Sequence, residues 1–273
     1  LKLAVSADGM LGRLGAGQVA ITGPVSRGRV HVLRAETDAI LVGIGTALAD
    51  DPELTCRLAG LQARSPVRIV LDPRLELSPA SKLALTARDV PVIVVADRML
   101  EEALPPSGLP AISPSRGKID GATSSSASSA DAAAGASAPA GQASGALPIS
   151  PLEGEMADRP QWGIPPAAAD RAAALEAAGV EILTCDPHRL DDLLLALATR
   201  GISSLLVEGG ARTARSFLDA GLVDRILLFT GPEALGKGGV ASPCVPGRMP
   251  KGFSLRRTAR YGADHLHEYE RDD

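Results

Sequence analysis

Two stretches of the sequence place glycines and polar side chains directly after a short apolar run. The run 39–42 leads into Gly43-Ile44-Gly45-Thr46, and the segment 204–207 leads into Glu208-Gly209-Gly210. Such runs predict buried strands. Glycines after a strand let the backbone approach a ligand closely, and exposed amides at the start of the next helix attract phosphate groups. The two turns together indicate a dinucleotide site at the ends of two strands.

Neither stretch carries the complete dinucleotide fingerprint, in which three glycines are followed by a ribose-binding acid about twenty residues later. The alternative that both are tight turns needed for packing therefore stays open. Asp50-Asp51-Pro52, which ends the first stretch, is likewise both a pair of carboxylates and an ordinary helix stop.

Three cationic side chains could complete a site around these turns. Lys2 lies on a short predicted strand, where it could hold a phosphate or polarise an oxygen. Arg34 comes late in a helix predicted over 25–36, and Arg57 follows the two carboxylates. The guanidinium fork of arginine matches the geometry of phosphate, so these residues suit a phosphorylated ligand.

Composition narrows the class of protein. The net charge of the 273-residue chain is -4, so we expect neither nucleic acid nor an anionic membrane surface as a partner. No apolar run approaches the roughly 18 residues of a membrane span. Three widely spaced cysteines predict a reducing cytoplasm, and the four histidines form no metal-ligand spacing with them, so no zinc site is predicted.

The rest of the chain predicts alternating strands and helices. The β-branched runs 67–71 and 90–96 suit strands that are covered on both faces. The pattern predicts an α/β fold with a central, mostly parallel sheet flanked by helices, and antiparallel strands at the C-terminus. The further predicted elements are a strand at 1–6, helices at 168–178, 186–200 and 212–220, strands at 180–183, 204–207, 223–230, 253–260 and 265–269, and loops at 12–17 and 231–252.

The segment 105–166 interrupts this pattern. Ala, Ser and Gly dominate 122–146, and prolines recur between Pro148 and Pro166. This composition cannot bury enough apolar surface to offset the entropy of ordering. We therefore predict a single domain over 1–273 that carries a disordered insertion without a catalytic role. Trp162, at the edge of the insertion, is expected to anchor it.

Five motifs occur in order along the chain and carry a resemblance to a known family. They are Lys2-Leu3-Ala4-x-Ser6-x-Asp8-Gly9, Ile21-Thr22-Gly23-Pro24, Leu33-Arg34-Ala35, Gly43-x-Gly45-Thr46-x-Leu48-Ala49-Asp50-Asp51-Pro52-x-Leu54-Thr55-x-Arg57 and Val207-Glu208-Gly209-Gly210. Together they resemble the reductase domain of the bacterial bifunctional riboflavin-biosynthesis deaminase/reductase. The resemblance implies a dihydrofolate-reductase-like fold. It also implies NADPH-dependent reduction of the ribosyl group of 5-amino-6-(5-phosphoribosylamino)uracil to the ribitylamino product.

The resemblance also assigns roles to individual positions. Lys2, Asp50 and Glu208 are the candidates for steering ring opening and protonation near C1′ of the sugar. Substrate contacts are expected from Thr22, Arg34, Leu54, Arg57 and Glu208. Cofactor contacts are expected from Ala4, Thr46, Asp50, Gly210, Ala211, Arg212, Thr213, Ala214, Arg215 and Ser216, and Arg74 is a candidate for the 2′-phosphate of the cofactor.

Besides its long Ala/Ser/Pro-rich insertion, the sequence departs from this family in two respects. Gln18-Val19-Ala20 stands where a Ser-x-Trp segment is usual, so we expect altered cofactor and substrate contacts there. The His-x-Glu and Pro-Cys-x-x-Cys signature of a zinc deaminase is absent. Because the chain also lacks an initiator Met, we expect a deaminase domain on a preceding part of a longer protein. The family implies a cytoplasmic homo-oligomer.

Three alternatives stay open. The first is the related reductase that acts on the diaminopyrimidinone precursor before deamination. The second is a degenerate domain that binds NADP without catalysis, which the changed segment 18–20 would favour. The third is a dihydrofolate reductase, by fold alone, although phosphate-suited arginines argue against a pteridine substrate.

Overall fold

A computed structural model describes residues 1–103, except 14, 16 and 18, and residues 168–272. The predicted insertion 105–166, Trp162 within it, and Gln18 lie outside the described residues. The described segments belong to one compact unit. The prediction of a single domain with a disordered insertion stays a prediction.

The described chain alternates strands and helices, as the pattern predicts. The strands are β1 Lys2–Val5, β2 Met10–Arg13, β3 Ala39–Gly43, β4 Val67–Leu71, β5 Val92–Asp97, β6 Glu181–Cys185, β7 Leu205–Val207, β8 Arg225–Thr230, β9 Gly239–Ala241, β10 Phe253–Tyr261 and β11 Asp264–Arg271. The helices are α1 Pro24–Glu36, α2 Ile44–Asp50, α3 Lys82–Leu85, α4 Ala168–Ala178, α5 Leu190–Ala198 and α6 Ala211–Asp219.

Two sheets meet at the N-terminal strand. Five parallel strands run in the order β6-β5-β4-β3-β7, and four strands run in the order β1-β8-β11-β10. In the second sheet β1 is parallel to β8, while β11 is antiparallel to both β8 and β10. A parallel bridge between Lys2 and Glu208 joins the two sheets. The predicted α/β class, with a mostly parallel sheet and antiparallel C-terminal strands, is confirmed.

The central strands are apolar because helices cover both of their faces. Val42 and Val70 belong to the core cluster on one face, which also contains Leu175 of α4. Leu41 and Ile69 belong to the cluster on the other face. Residues that alternate along a strand point to opposite faces, so a strand buried on both sides has no polar alternation. The apolar runs therefore predict these strands without showing a period of two.

One charged side chain is buried within the central sheet. Arg68 of β4 is fully buried and carries no carboxylate partner within hydrogen-bond distance in the part of the chain that the structure describes. Its Nη1 donates to the Glu53 carbonyl at 3.2 Å and to Thr86 Oγ1 at 2.8 Å, and Nη2 donates to the carbonyls of Thr86 and Val90. Burial lowers the Arg68 pKa to about 10. Arg68 thereby ties the segment after α2 to the segment between α3 and β5.

The start of α1 is capped from the C-terminal hairpin. Gly23 precedes the helix and has no side chain to cap it, and Pro24 occupies the first turn. Asp264 Oδ2 accepts from the Gly23 N–H at 2.8 Å and from Ser26 Oγ at 2.5 Å. Because Asp264 is 1% exposed, this contact fixes the entry to α1 against the β10–β11 turn.

The structure corrects three boundaries. The predicted loops 12–17 and 231–252 contain the end of β2 and all of β9, which form a separate two-stranded ribbon. These strands were missed because they are short, rich in glycine and irregular in register. The helix predicted from 186 begins at Leu190, because Asp186 Oδ1 accepts the His188 N–H at 2.9 Å and closes a turn there.

The described residues form neither a membrane span nor a metal-binding cluster. No helix there is long and apolar enough to cross a bilayer. The same residues contain no group of three or more His, Cys, Asp or Glu side chains arranged to hold a metal ion.

Candidate active site

A cluster of three charged side chains lies where the two sheets meet. Arg34 Nε and Nη2 each donate to a different oxygen of Glu208, both at 3.1 Å. Lys2 Nζ lies 3.9 Å from Glu208 Oε2. The three side chains are only 10–15% exposed. The fork of Arg34 therefore fixes the orientation of the carboxylate, while Lys2 approaches the same oxygen from β1.

Separate elements supply the members of this cluster. Lys2 opens β1, Glu208 follows β7, and Arg34 lies in the last turn of α1. Arg34 Nη1 also donates to the Thr55 carbonyl at 3.1 Å, so the guanidinium is held on two sides. Lys2 Nζ lies 5.9 Å from the centre of the Phe229 ring on the neighbouring strand β8.

The pKa values of Lys2 and Glu208 are both lowered within this cluster. Burial lowers the Lys2 pKa; the Glu208 charge opposes this shift and the Arg34 charge adds to it. Burial alone would raise the Glu208 pKa, but the charges of Lys2 and Arg34 and the Arg34 hydrogen bonds lower it below the ordinary value. The carboxylate is therefore firmly ionised, and Lys2 gives up its proton more readily than an exposed lysine.

A cleft of about 130 Å³ opens beside the cluster, lined by residues 50–54 together with Arg34, Arg57 and Lys82. Burial raises the Asp50 pKa. Leu54 is buried and has a φ of 57°, so the segment turns sharply there. Arg57 Nη1 donates to Glu53 Oε2 at 2.7 Å. The structure thus brings Asp50, Leu54 and Arg57 together beside Arg34.

His31 is a member of this region that sequence reasoning missed. Its Nδ1 lies 3.2 Å from the Thr55 carbonyl and 3.3 Å from the Arg57 N–H. Burial lowers the His31 pKa, and the charges of Arg34 and Arg57 add to this shift. His31 precedes Arg34 by three residues on α1, so both side chains leave one face of the helix. That spacing was the available signal.

The two glycine stretches meet, but not as the pair of turns that the sequence suggested. The strand β3 passes into α2 without a turn, and Gly43 is the residue before the helix. A Cβ at Gly43 would lie 2.4 Å from Thr213 Oγ1. The glycine at position 43 leaves room for the Thr213 side chain where α6 packs closely against β3, which agrees with the packing role left open above. Gly45 lies inside α2 and has no neighbour within 4 Å of an added Cβ.

The second stretch is a genuine glycine turn. Gly209 and Gly210 have φ values of 84° and 35°, which non-glycine residues rarely adopt. An added Cβ at Gly210 would lie 3.2 Å from Thr46 Oγ1. Thr46 of α2 therefore contacts the turn before α6, and the N-terminal ends of both helices lie side by side with their amides free of helical acceptors.

The remaining predicted cofactor residues differ in exposure. Ala4 is half-buried on β1, and Ala214 is fully buried in the core behind α6. Arg212, Arg215 and Ser216 are exposed, and Ser216 Oγ donates to the Arg212 carbonyl at 3.1 Å. Ala211 is half-buried at the start of the helix.

Two predicted residues, Arg74 and Thr22, belong neither to the charge cluster nor to the cleft nor to the two helix starts. Arg74 is 82% exposed and pairs with Glu76 at 2.6 Å. Thr22 is half-buried, and its carbonyl accepts from Arg27 Nη1 at 2.8 Å. Neither lines the cleft beside Arg34.

Comparisons with known proteins agree with this architecture. A family model described as the RibD C-terminal domain matches residues 1–105 and 166–266. The riboflavin biosynthesis protein RibD of Aquifex aeolicus is 29% identical over 238 residues, which is 87% of this chain and 47% of that protein. The chain thus spans about half the length of that relative.

Two further relatives are informative. A 2,5-diamino-6-ribosylamino-4(3H)-pyrimidinone 5′-phosphate reductase of Methanothermobacter thermautotrophicus is 42% identical over 80 residues, 29% of this chain and 37% of that protein. The crystal structure of a diaminohydroxyphosphoribosylaminopyrimidine deaminase/5-amino-6-(5-phosphoribosylamino)uracil reductase of Thermotoga maritima superposes with a TM-score of 0.60 and 24% identity. That match covers 99% of this chain and 55% of that protein.

Proposed function

Because the chain belongs to the RibD C-terminal domain family, we propose that it is an NADPH-dependent reductase of riboflavin biosynthesis. Its proposed reaction reduces the ribosyl group of 5-amino-6-(5-phosphoribosylamino)uracil to the ribitylamino product. The observation that carries the proposal is the buried Arg34–Glu208–Lys2 cluster beside a cleft that holds further cations. A sugar phosphate needs both an oriented carboxylate for its hydroxyls and cations for its phosphate.

The residues at the two helix starts fit a dinucleotide. The amides at the starts of α2 and α6 have no acceptor within their own helix and therefore suit phosphate oxygens. The space beside Gly45 is open and leaves room for a ligand at the start of α2, and the neighbouring Thr46 supplies a hydroxyl. We infer that Thr46, the turn 209–210 and the first turn of α6 hold the cofactor. When bound, NADPH supplies the hydride.

The chain's own residues would prepare the sugar. Glu208, fixed by Arg34, accepts hydrogen bonds from sugar hydroxyls and holds the ribose in one orientation. Burial lowers the Lys2 pKa, so Lys2 Nζ can donate its proton to the ring oxygen as the ring opens. Asp50, whose pKa burial raises, is the second group able to exchange a proton. Arg57 receives the phosphate from the rim of the cleft.

One relative favours a second substrate. The name of the Methanothermobacter protein describes reduction of the diaminopyrimidinone phosphate. That protein is 42% identical to the present chain over 80 residues. The corresponding alternative is that the present chain acts before deamination. A catalytically silent NADP-binding domain and a dihydrofolate reductase are the other two alternatives.

The test is NADPH oxidation with each of the two pyrimidine phosphates, with dihydrofolate as a third substrate. Glu208→Gln is run beside Glu270→Gln, a matched control whose carboxylate pairs with Arg225 on the exposed side of the C-terminal sheet. The proposal is supported if the wild type and Glu270→Gln reduce the aminouracil and Glu208→Gln does not. Turnover of the diaminopyrimidinone alone favours the precursor reductase. Tight NADPH binding without turnover favours the silent domain.

The proposal extends to partners. Because the chain covers about half of its RibD relative, we propose that a deaminase domain occupies another part of the full protein. Homo-oligomerisation and a cytoplasmic location stay predictions. Gel filtration with light scattering tests the first, and fractionation of cells tests the second.

A further inference from the structure

Lys82 is a cationic residue of the cleft that neither the sequence motifs nor the proposed reaction uses. It is the first residue of α3, and its side chain lines the cleft with Arg34, Leu54 and Arg57. Its N–H donates to Asp51 Oδ1 at 2.9 Å, and its Nζ lies 3.9 Å from Asp51 Oδ2. Asp51 therefore positions both the backbone and the charge of Lys82.

The cations of the cleft divide into two kinds. Arg34 is buried and already bound to Glu208 and to the Thr55 carbonyl, so it has little capacity for another ligand. Arg57 and Lys82 are 57% and 54% exposed, and each pairs with one carboxylate of the same segment. Exposed ion pairs of this kind contribute little, because water and salt screen them. A phosphate dianion can replace those carboxylates at small cost.

Two exposed cations at one narrow cleft match the demands of a sugar phosphate. Arg57 offers a planar fork to two phosphate oxygens, and Lys82 offers a mobile point charge to the third. We propose that Lys82 contacts the phosphate of the substrate and, with Arg57, makes the enzyme prefer phosphorylated over dephosphorylated substrate. The inference rests on the proposed function, because it assumes that a sugar phosphate enters this cleft.

The first experiment compares Lys82→Met with Lys251→Met, an exposed lysine outside the cleft. For the phosphorylated pyrimidine we expect Lys82→Met to raise KM about tenfold with kcat nearly unchanged, since one charge-assisted contact is lost. Lys82→Arg should recover most of the affinity. The kcat/KM for the dephosphorylated nucleoside should not change. Equal KM values for Lys82→Met and Lys251→Met would overturn the proposal.

A second measurement does not depend on catalysis. Titration calorimetry with ribose 5-phosphate should give weaker binding in Lys82→Met than in the wild type. Asp51→Asn should act in the opposite direction and tighten binding, because it removes a competing charge. The Asn side chain retains an acceptor for the Lys82 N–H and tolerates the left-handed φ of 38° at this position.

The kinetic and the binding measurements together distinguish failure of the reductase proposal from failure of the Lys82 proposal. A wild type that binds ribose 5-phosphate in a Lys82-dependent manner, but turns over neither pyrimidine, would reject the reductase proposal and support the phosphate contact. A wild type that turns over substrate, with all Lys82 variants unaffected in KM and in ribose 5-phosphate binding, would do the reverse.

Discussion

The substitution Glu208→Gln tests the buried charge cluster directly, because Gln has nearly the same shape as Glu but no charge. The substitution leaves Lys2 and Arg34 without their common counter-ion, although both are 15% exposed or less. At an effective dielectric constant of about 20, attraction between unit charges 3–4 Å apart is about 4–5 kcal/mol for each pair. The recovered hydration of the carboxylate offsets several kcal/mol of that sum. Removing one partner of a buried pair therefore costs about 3–5 kcal/mol.

Urea unfolding at neutral pH, followed by circular dichroism, measures this loss as a lower midpoint at constant m-value. In thermal unfolding, about 2–4 °C per kcal/mol gives a fall in Tm of roughly 6–20 °C. Glu270→Gln is the matched control, since its ion pairs with Arg225 and Arg256 are exposed and contribute at most about 1 kcal/mol each. If both variants unfold within about 1 kcal/mol of the wild type, the reasoning about buried charge is wrong.

The stability lost on Glu208→Gln substitution should depend on pH in a definite direction. The folded-state pKa of Glu208 is lowered, so its stabilisation is fully present above the ordinary carboxyl pKa and is lost as pH falls through the folded pKa. The difference between wild type and Glu208→Gln should therefore shrink in acid. It should also shrink in alkali, because Lys2, whose pKa burial already lowers, loses its proton and no longer needs a counter-ion.

Further predictions follow from close packing, capping and thiol burial. Gly43→Ala should lower both stability and NADPH affinity, because its Cβ would lie 2.4 Å from a side chain of α6. Gly45→Ala should leave Tm unchanged or raised and should weaken only the binding of NADPH. Melting curves with and without NADPH distinguish the two effects. Asp264→Ala should cost about 1–2 kcal/mol in urea unfolding, since it removes the cap of α1, and a loss below a few tenths would contradict that role. Burial raises the pKa of Cys185 and of Cys244 to about 11, so Ellman's reagent should label neither until urea unfolds the chain; rapid labelling of either in buffer would disprove their burial.

The sequence was sufficient for the sheet because its central strands are buried on both faces. The runs 39–42, 67–71 and 90–96 are continuous apolar segments, and each coincides with a strand of the five-stranded sheet. The ribbon β2–β9 gave no such signal, since both strands are short, contain glycine and are only partly buried. Its register depends on the surrounding fold more than on its own residues.

For the site, residue types were predictable but pairings were not. Lys2, Arg34 and Glu208 were all candidates, yet only the packing of the two sheets and α1 brings Lys2 and Arg34 within 4 Å of Glu208. Their assigned roles stay predictions. His31 and Lys82 were missed because neither stands in a motif. Lys82 lines the cleft because α3 packs against the segment after α2, and His31 of α1 contacts the backbone of Thr55 and Arg57 beside it.

The meeting of β1 with both β7 and β8 has a consequence for how the protein is made. Lys2 pairs with Leu227 in β8 and bridges to Glu208, so the strand that opens the charge cluster finds its neighbours only after most of the domain has been synthesised. Until then β1 lacks its strand partner β8, and a nascent chain carries an open strand edge at risk of misassociation. Pairings this distant along the chain form slowly. On the ribosome, the charge cluster is thus among the last parts of the domain to assemble, and a nascent chain that stops before β7 cannot build it.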